Sequence, residues 1–163
     1  MALKPDRNEH LTDLSFFMNE TGERGKIVMF DVGQAGSGSA MDSSNQRVQS
    51  PTGTVPADLQ APAGLLLNDV VNLDLTRQHL NWYKDEVQLG SKVLLLQRGF
   101  VVTNNVSGTP TAANIGDSLY VTTLDGTYAG SMSVVNNGGP RVGRLLSIKD
   151  EDGYAKVQID ITW

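Results

Sequence analysis

The sequence has no cysteine, which excludes a disulfide framework, thiolate-bound zinc, iron–sulfur clusters and a cysteine nucleophile together. Histidine is almost as scarce, with His10 and His79 the only two. A serine triad needs an imidazole held by a carboxylate near a nucleophile turn, and no Gly-x-Ser-x-Gly pattern accompanies either histidine. Aromatic residues are thin for a sugar-binding platform: two Trp, four Tyr and four Phe. Lys and Arg number 13 against 18 Asp and Glu, for a net charge of −5. No short window gathers more than two of these cations. Nucleic-acid affinity rests on cations releasing counterions from phosphates, so no nucleic-acid partner is expected. No apolar run approaches the roughly 18 residues of a membrane span, and the start, Met1 to Arg7, runs into charge. The chain is therefore expected to be made soluble and to have no membrane partner.

Two local patterns could be taken for sites. Asp150-Glu151-Asp152-Gly153 has the alternating carboxylates of a calcium loop but lacks the twelve-residue frame and its distal glutamate, so a water-exposed hairpin turn explains it. Gly33, Gly36 and Gly38 share only glycine content with a phosphate loop, because no Lys-Ser pair and no helix pattern follows. A carboxylate pair for glycoside hydrolysis is joined in space, where a sequence does not show it. These readings give no catalytic residue, no cofactor and no metal site, and the expectation is that the chain is not an enzyme.

At 163 residues one compact body plus an appendage is the expected organisation, with roughly 70% of the unfolded surface buried if all of it folds. Residues 8–20 place Leu11, Leu14, Phe17 and Met18 on one side of a short helix capped by Asn8. That helix packs on its own body or docks on a partner. Lys26 to Val32 reads as a strand between Gly25 and Gly33. From Gly33 to Ala63 the chain is rich in Gly, Ser, Ala, Gln, Asn, Thr and Pro without sustained period, which predicts a linker or an arm laid on another surface.

A β domain is expected from residue 64 onward. Val70 to Leu75 alternates, residues 77–88 stay ambiguous between a helical turn and an irregular strand, and Lys92 to Thr103 reads as a doubly buried strand bent at Gly99. Asp117 to Leu124 and Thr127 to Val135 flank the hairpin dipeptide Asp125-Gly126. Val142 to Lys149 and Tyr154 to Trp163 form a last hairpin, with Ala155, Val157, Ile159, Ile161 and Trp163 inward and Lys156, Gln158, Asp160 and Thr162 outward. The fold class is thus mainly β: a small antiparallel β-barrel or sandwich over 64–163, preceded over 1–63 by an extended arm with a short helix. Leu11, Leu14, Phe17, Met18, Trp82 and Tyr83 are the interface candidates. Trp82, Tyr83 and Phe100 also serve as core anchors, the more expected role for large aromatics. His79 beside Trp82 and Tyr83 reads as a packing or interface residue.

Four segments carry a resemblance: Ala63-Gly64-Leu65-Leu66-Leu67-Asn68-Asp69-Val70-Val71, Lys84 to Val93, Gly116-Asp117-Ser118-Leu119-Tyr120-Val121, and Val142-Gly143-Arg144-Leu145-Leu146-Ser147-Ile148. Together they resemble the small β-barrel of cement or decoration proteins of tailed-bacteriophage capsids. The resemblance implies a virion structural protein on the capsid surface. It would bind and stabilise the shell of the major capsid protein, as a homo-oligomer with a trimer favoured and without catalysis. The alternative is a head-fibre or adhesin-like β module that binds a host receptor or glycan.

Overall fold

The computed structural model describes residues 3–31, 46–51, 61–69, 86–87, 90–122 and 129–161. These residues are mainly strand: β1 (Asn8–Asp13), β2 (Phe17–Met18), β3 (Gly22–Glu23), β4 (Ile27–Phe30), β5 (Arg47–Gln49), β6 (Pro62–Asp69), β7 (Glu86–Val87), β8 (Val93–Thr103), β9 (Ser118–Val121), β10 (Met132–Ser133), β11 (Arg141–Leu145) and β12 (Ala155–Asp160). A 3-10 turn at Ala112–Asn114 is the helical piece among the described residues. One sheet of ten strands runs in the order β10-β9-β11-β12-β8-β6-β4-β5-β2, with β1 also paired to β8, while β3 and β7 pair separately. The sheet is not closed: among the described residues its ends, β10 and β2, are not paired to each other.

The long apolar β8 organises this sheet. Leu95 and Leu96 pair with both β6 and β1, and Arg98, Gly99 and Phe100 pair with both β12 and β1. A strand has two edges, so β6 and β12 share one edge of β8 and β1 holds the other. The changeover falls at Gln97, whose carbonyl accepts the Ile161 N–H at 2.9 Å. Two ladders therefore leave the same edge, β6–β4–β5–β2 and β12–β11–β9–β10. They share one buried cluster, with Ile27, Met29, Leu65 and Leu67 from the first and Leu119, Met132, Val142, Leu145, Val157 and Ile159 from the second.

A second cluster lies on the other face of β4 and β6, formed by Met18, Val28, Val48, Ala63, Leu66, Val87, Val93 and Leu95. Being buried on both faces, β6 reads as a near-continuous apolar run where a half-exposed strand would alternate. β8 is doubly buried over its first half only. Val93 and Leu95 enter the smaller cluster, whereas Leu96 and Val101 enter the larger, so the side-chain phase changes near the expected bend at Gly99. A Cβ on Gly99 would run into the carbonyl oxygen of Asn8. Glycine there lets β1 lie against β8.

The strands expected at Lys26–Val32, Lys92–Thr103, Asp117–Leu124, Thr127–Val135, Val142–Lys149 and Tyr154–Trp163 correspond to β4, β8, β9, β10, β11 and β12, generally shorter than expected. Ala155, Val157, Ile159 and Ile161 are buried and Lys156 is exposed, as the alternation requires. Val70–Leu75, the Asp125-Gly126 turn and Trp163 lie outside the described residues.

The helix expected over residues 8–20 is a correction: this stretch is extended, carrying β1 and β2. From Leu3 to Met18 the chain runs antiparallel along the edge of β8 and the residues before it. The Lys4 N–H donates to the Val102 carbonyl, the Val93 N–H to Phe16 and the Gly90 N–H to Met18, with bridges at Leu3–Thr103 and Phe17–Lys92. An isolated thirteen-residue helix is marginal in water, and a long open strand edge offers a full row of backbone partners. Pairing wins, and the apolar stripe is split. Met18 is fully buried, Phe17 half-buried, and Leu11 and Leu14 are 45% and 48% exposed.

Within the stretch expected as linker, β5 adds to β4 and to β2. Arg47 Nη2 meets Asp31 Oδ2 at 2.9 Å with side-chain exposures of only 5% and 3%. Asn19 Nδ2 donates to the same carboxylate oxygen at 3.0 Å, and the Asp31 N–H donates to the Arg47 carbonyl at 3.0 Å. Among the described residues before 64, β1, β2, β4, β5 and the start of β6 are thus built into the sheet that the later strands form, while β3 pairs with β7.

Two stability outcomes follow. Met18→Ala is expected to cost about 2–5 kcal/mol in urea unfolding, whereas Leu14→Ala, changed at an exposed position, stays within about 0.5 kcal/mol; equal costs would contradict the extended pairing. Asp31→Ala strands a buried guanidinium and is expected to cost about 3–5 kcal/mol in the same measurement.

Candidate interaction face

The inward alternation of β12 forces its other residues outward, and the pairing register then sets their neighbours. Arg144 on β11 lies beside Ser118 on one side and Gln158 on the other; Gln158 lies beside Phe100, and Phe100 beside Asn8. Asp160 is opposite Arg98, with Oδ1 and Nε 4.0 Å apart. Arg141 is opposite Tyr120, and its Nε donates to Ser118 Oγ at 3.1 Å. The outer face of β8, β12, β11 and β9 therefore carries Arg98, Arg141, Arg144 and Lys156 on a chain whose net charge is −5.

Two hollows flank β12 on this face. One, of about 410 Å³, is lined by Asp6, Arg7, Asn8, Phe100, Leu146 and Lys156. It lies where the leading segment approaches β12, and Arg7 is held there by Glu9 at 2.6 Å. The other, of about 120 Å³, is lined by Arg141, Gly143, Arg144, Gln158 and Asp160. Among the described residues, Arg141, Arg144 and Lys156 have no carboxylate within ion-pair distance. This face can bind anionic groups through charge-assisted hydrogen bonds, which are stronger than neutral ones.

The leading segment is clipped down at its start. Lys4 Nζ donates to Asp150 Oδ2 at 2.7 Å, lies 4.0 Å from Asp152 Oδ2 and sits 4.4 Å above the Tyr154 ring. The acidic turn expected at 150–153 is what receives it: Gly153 takes a positive φ, and the Tyr154 N–H donates to Asp150 Oδ1. The hydrogen bond from Lys4, followed by that from the Tyr154 backbone, holds the Asp150 carboxyl below the usual carboxylate range. The hydrogen bond to Asp150 raises the Lys4 ammonium above the usual lysine range.

Of the interface candidates, Leu11 and Leu14 are exposed, Phe17 is half-buried and Met18 is buried, while Trp82 and Tyr83, with His79, lie outside the described residues. Phe100 is half-buried, and its ring meets His10 edge-on with centroids 5.6 Å apart. Among the described residues no group of three or more His, Asp or Glu could hold a metal ion, and no helix is long and apolar enough to cross a membrane. Arg141 and Arg144 escaped the reading of the sequence. The available signal was the strict alternation from Tyr154 onward, which marked Lys156, Gln158 and Asp160 as outward without revealing which strand would lie beside them.

Comparison with protein-family models finds no match, and none of the curated proteins matches the chain.

The clip has a pH signature. A lowered Asp150 pKa contributes stability that is present above the unfolded carboxyl value and lost as pH falls through the folded one, below about pH 4. The raised Lys4 pKa loses its contribution only as pH rises past about 10.4. The amide-exchange protection factor of Lys4, whose N–H is bonded to Val102, is expected to hold from pH 5 to 9 on the order of one value and to fall below about pH 4. Asp150→Asn lowers that factor at neutral pH and removes most of the acid dependence. An unchanged factor in the variant would rule the clip out.

Proposed function

We propose that this chain is a virion structural protein, a capsid cement or decoration protein that binds the shell of a major capsid protein and stabilises it. The observation that carries the proposal is the outer face of β8, β12 and β11, a stiff strand surface holding two hollows and cations without carboxylate partners. All four segments that resemble cement proteins carry strand residues: β6, β7 with the first residue of β8, β9 and β11. We read the two ladders leaving β8 as a small barrel or sandwich around their shared cluster. The polar composition of residues 33–45 and 52–60, on either side of β5, suits contact with the shell or with a sister subunit in a trimer.

A cement protein acts by mass action. Whatever binds the assembled shell and not its dissociated subunits stabilises the shell, by about 2.7 kcal/mol per site at a hundredfold excess over Kd. Repetition over a symmetric shell lets modest single-site affinities add. Such a protein needs a rigid body and an exposed face, and the buried apolar clusters supply the rigidity without disulfides.

The test is to assemble the capsids from which this chain comes with and without it. Decorated particles are expected to show the chain on their surface and to resist disruption by heat at higher temperature. Equal resistance with no surface occupancy defeats the proposal. Glycan-array binding by the isolated chain would favour the receptor- or glycan-binding alternative.

A further inference from the structure

We infer that the hollow between Arg141 and Arg144 is a recognition pocket for one side-chain carboxylate, a glutamate or aspartate presented by an acidic protein surface. The inference names the chemistry of the partner surface required by the proposed function and rests on that reading for the partner's identity.

Size and shape come first. At about 120 Å³ the hollow is well below the roughly 300–1,000 Å³ of small-molecule sites, and its lining includes Gly143, where a side chain would run into the Gln158 carbonyl and push β12 away. Arg141 and Arg144 are both exposed and line it with Gln158. A guanidinium offers a planar fork of donors that matches a carboxylate, and the Gln158 amide can supply a neutral donor. The Arg141 Nε donates to Ser118 Oγ at 3.1 Å, which leaves the Nη groups of that guanidinium for a ligand.

Asp160 on the wall decides the class of anion. It breaks the row of cations between Arg144 and Arg98, so among the described residues this face offers no continuous track for a sulfated polysaccharide or a phosphate backbone, which gain affinity from many adjacent cations. The net charge of −5 further disfavours a polyanion at long range. A single carboxylate needs only the two arginines. Arg98 and Lys156 spread positive charge across the same face, which suits a protein surface bearing several carboxylates better than an isolated chain terminus.

The test has two arms. In the first, the isotope-labelled full chain is titrated with N-acetyl-glutamate amide, with N-acetyl-glutamine amide, with sodium sulfate and with heparin. The glutamate probe is expected to give saturable shifts at the Arg141 and Arg144 side-chain N–H groups and the Gly143 amide. The glutamine probe should give none, and the affinity should fall about tenfold in R141Q/R144Q. Both arginines are exposed, so the variant's unfolding transition should match that of the parent. Absent shifts, or equal shifts with sulfate, overturn the inference and leave an adventitious ion only; tighter heparin binding with a footprint reaching Arg7 and Lys156 overturns it in favour of a polyanion surface. In the second arm, R141Q/R144Q is expected to occupy capsids about tenfold less than the parent at equal concentration, and parent occupancy to fall as salt rises. If the parent occupies no particle, the capsid reading fails while glutamate binding stands. Equal occupancy by parent and variant sinks the pocket and leaves the capsid reading intact.

Discussion

The architecture depends on the backbone of one strand, Val93–Thr103, offering hydrogen bonds to three others. Its N-terminal half is bonded to β6 and its C-terminal half to β12 along the same edge, and two strands cannot continue side by side from one edge in one plane. The ladders must diverge at Gln97, and their divergence lets them close over a common cluster. The second edge would stay open without the leading segment. From Leu3 to Met18 that segment supplies the missing backbone partners, so a stretch that looks peripheral along the chain covers the most extended edge of the sheet. Gly99 sits where the three strands crowd together, and only the absence of a side chain lets β1 approach there.

Charge is sorted by the same framework. Arg47 is drawn inside to meet Asp31, where burial makes the pair costly to break and ties β5 to the end of β4. Lys4 is spent on the acidic turn, holding the start of the chain against the β11–β12 hairpin. The cations on the outer ladder are left facing water, and there the surface of an acidic protein becomes locally basic. Net charge alone conceals this division. It is an average over groups that the fold separates into interior, clip and face.

Much of the sheet was legible because half-buried and doubly buried strands leave plain patterns. Ala155 to Ile161 alternates since one face meets the core and the other meets water; Lys92 to Thr103 is apolar since both faces of its first half are covered. Residues 8–20 misled because Leu11, Leu14, Phe17 and Met18 fit a helical stripe equally well, and local spacing carries no record of the strand edge that captures them. β5 was hidden for a related reason: it has three residues, with Val48 flanked by polar Arg47 and Gln49, and the burial of Arg47 depends on Asp31 sixteen positions earlier. The candidate face was half visible. Outward Lys156, Gln158 and Asp160 could be read directly, whereas Arg141 and Arg144 acquired meaning only when β11 paired beside them.

The amino-acid sequence by itself determined the class of secondary structure, the placement of most of the later strands and the absence of thiol chemistry, because these follow from residue type and from periods of two that neighbouring residues impose on each other. Tertiary structure decided which strand edges meet, that the leading segment is extended, and which arginines end up buried or exposed. Those outcomes turn on backbone hydrogen bonds and ion pairs between residues far apart along the chain. The free energy of such contacts belongs to the pair and is absent from either segment alone.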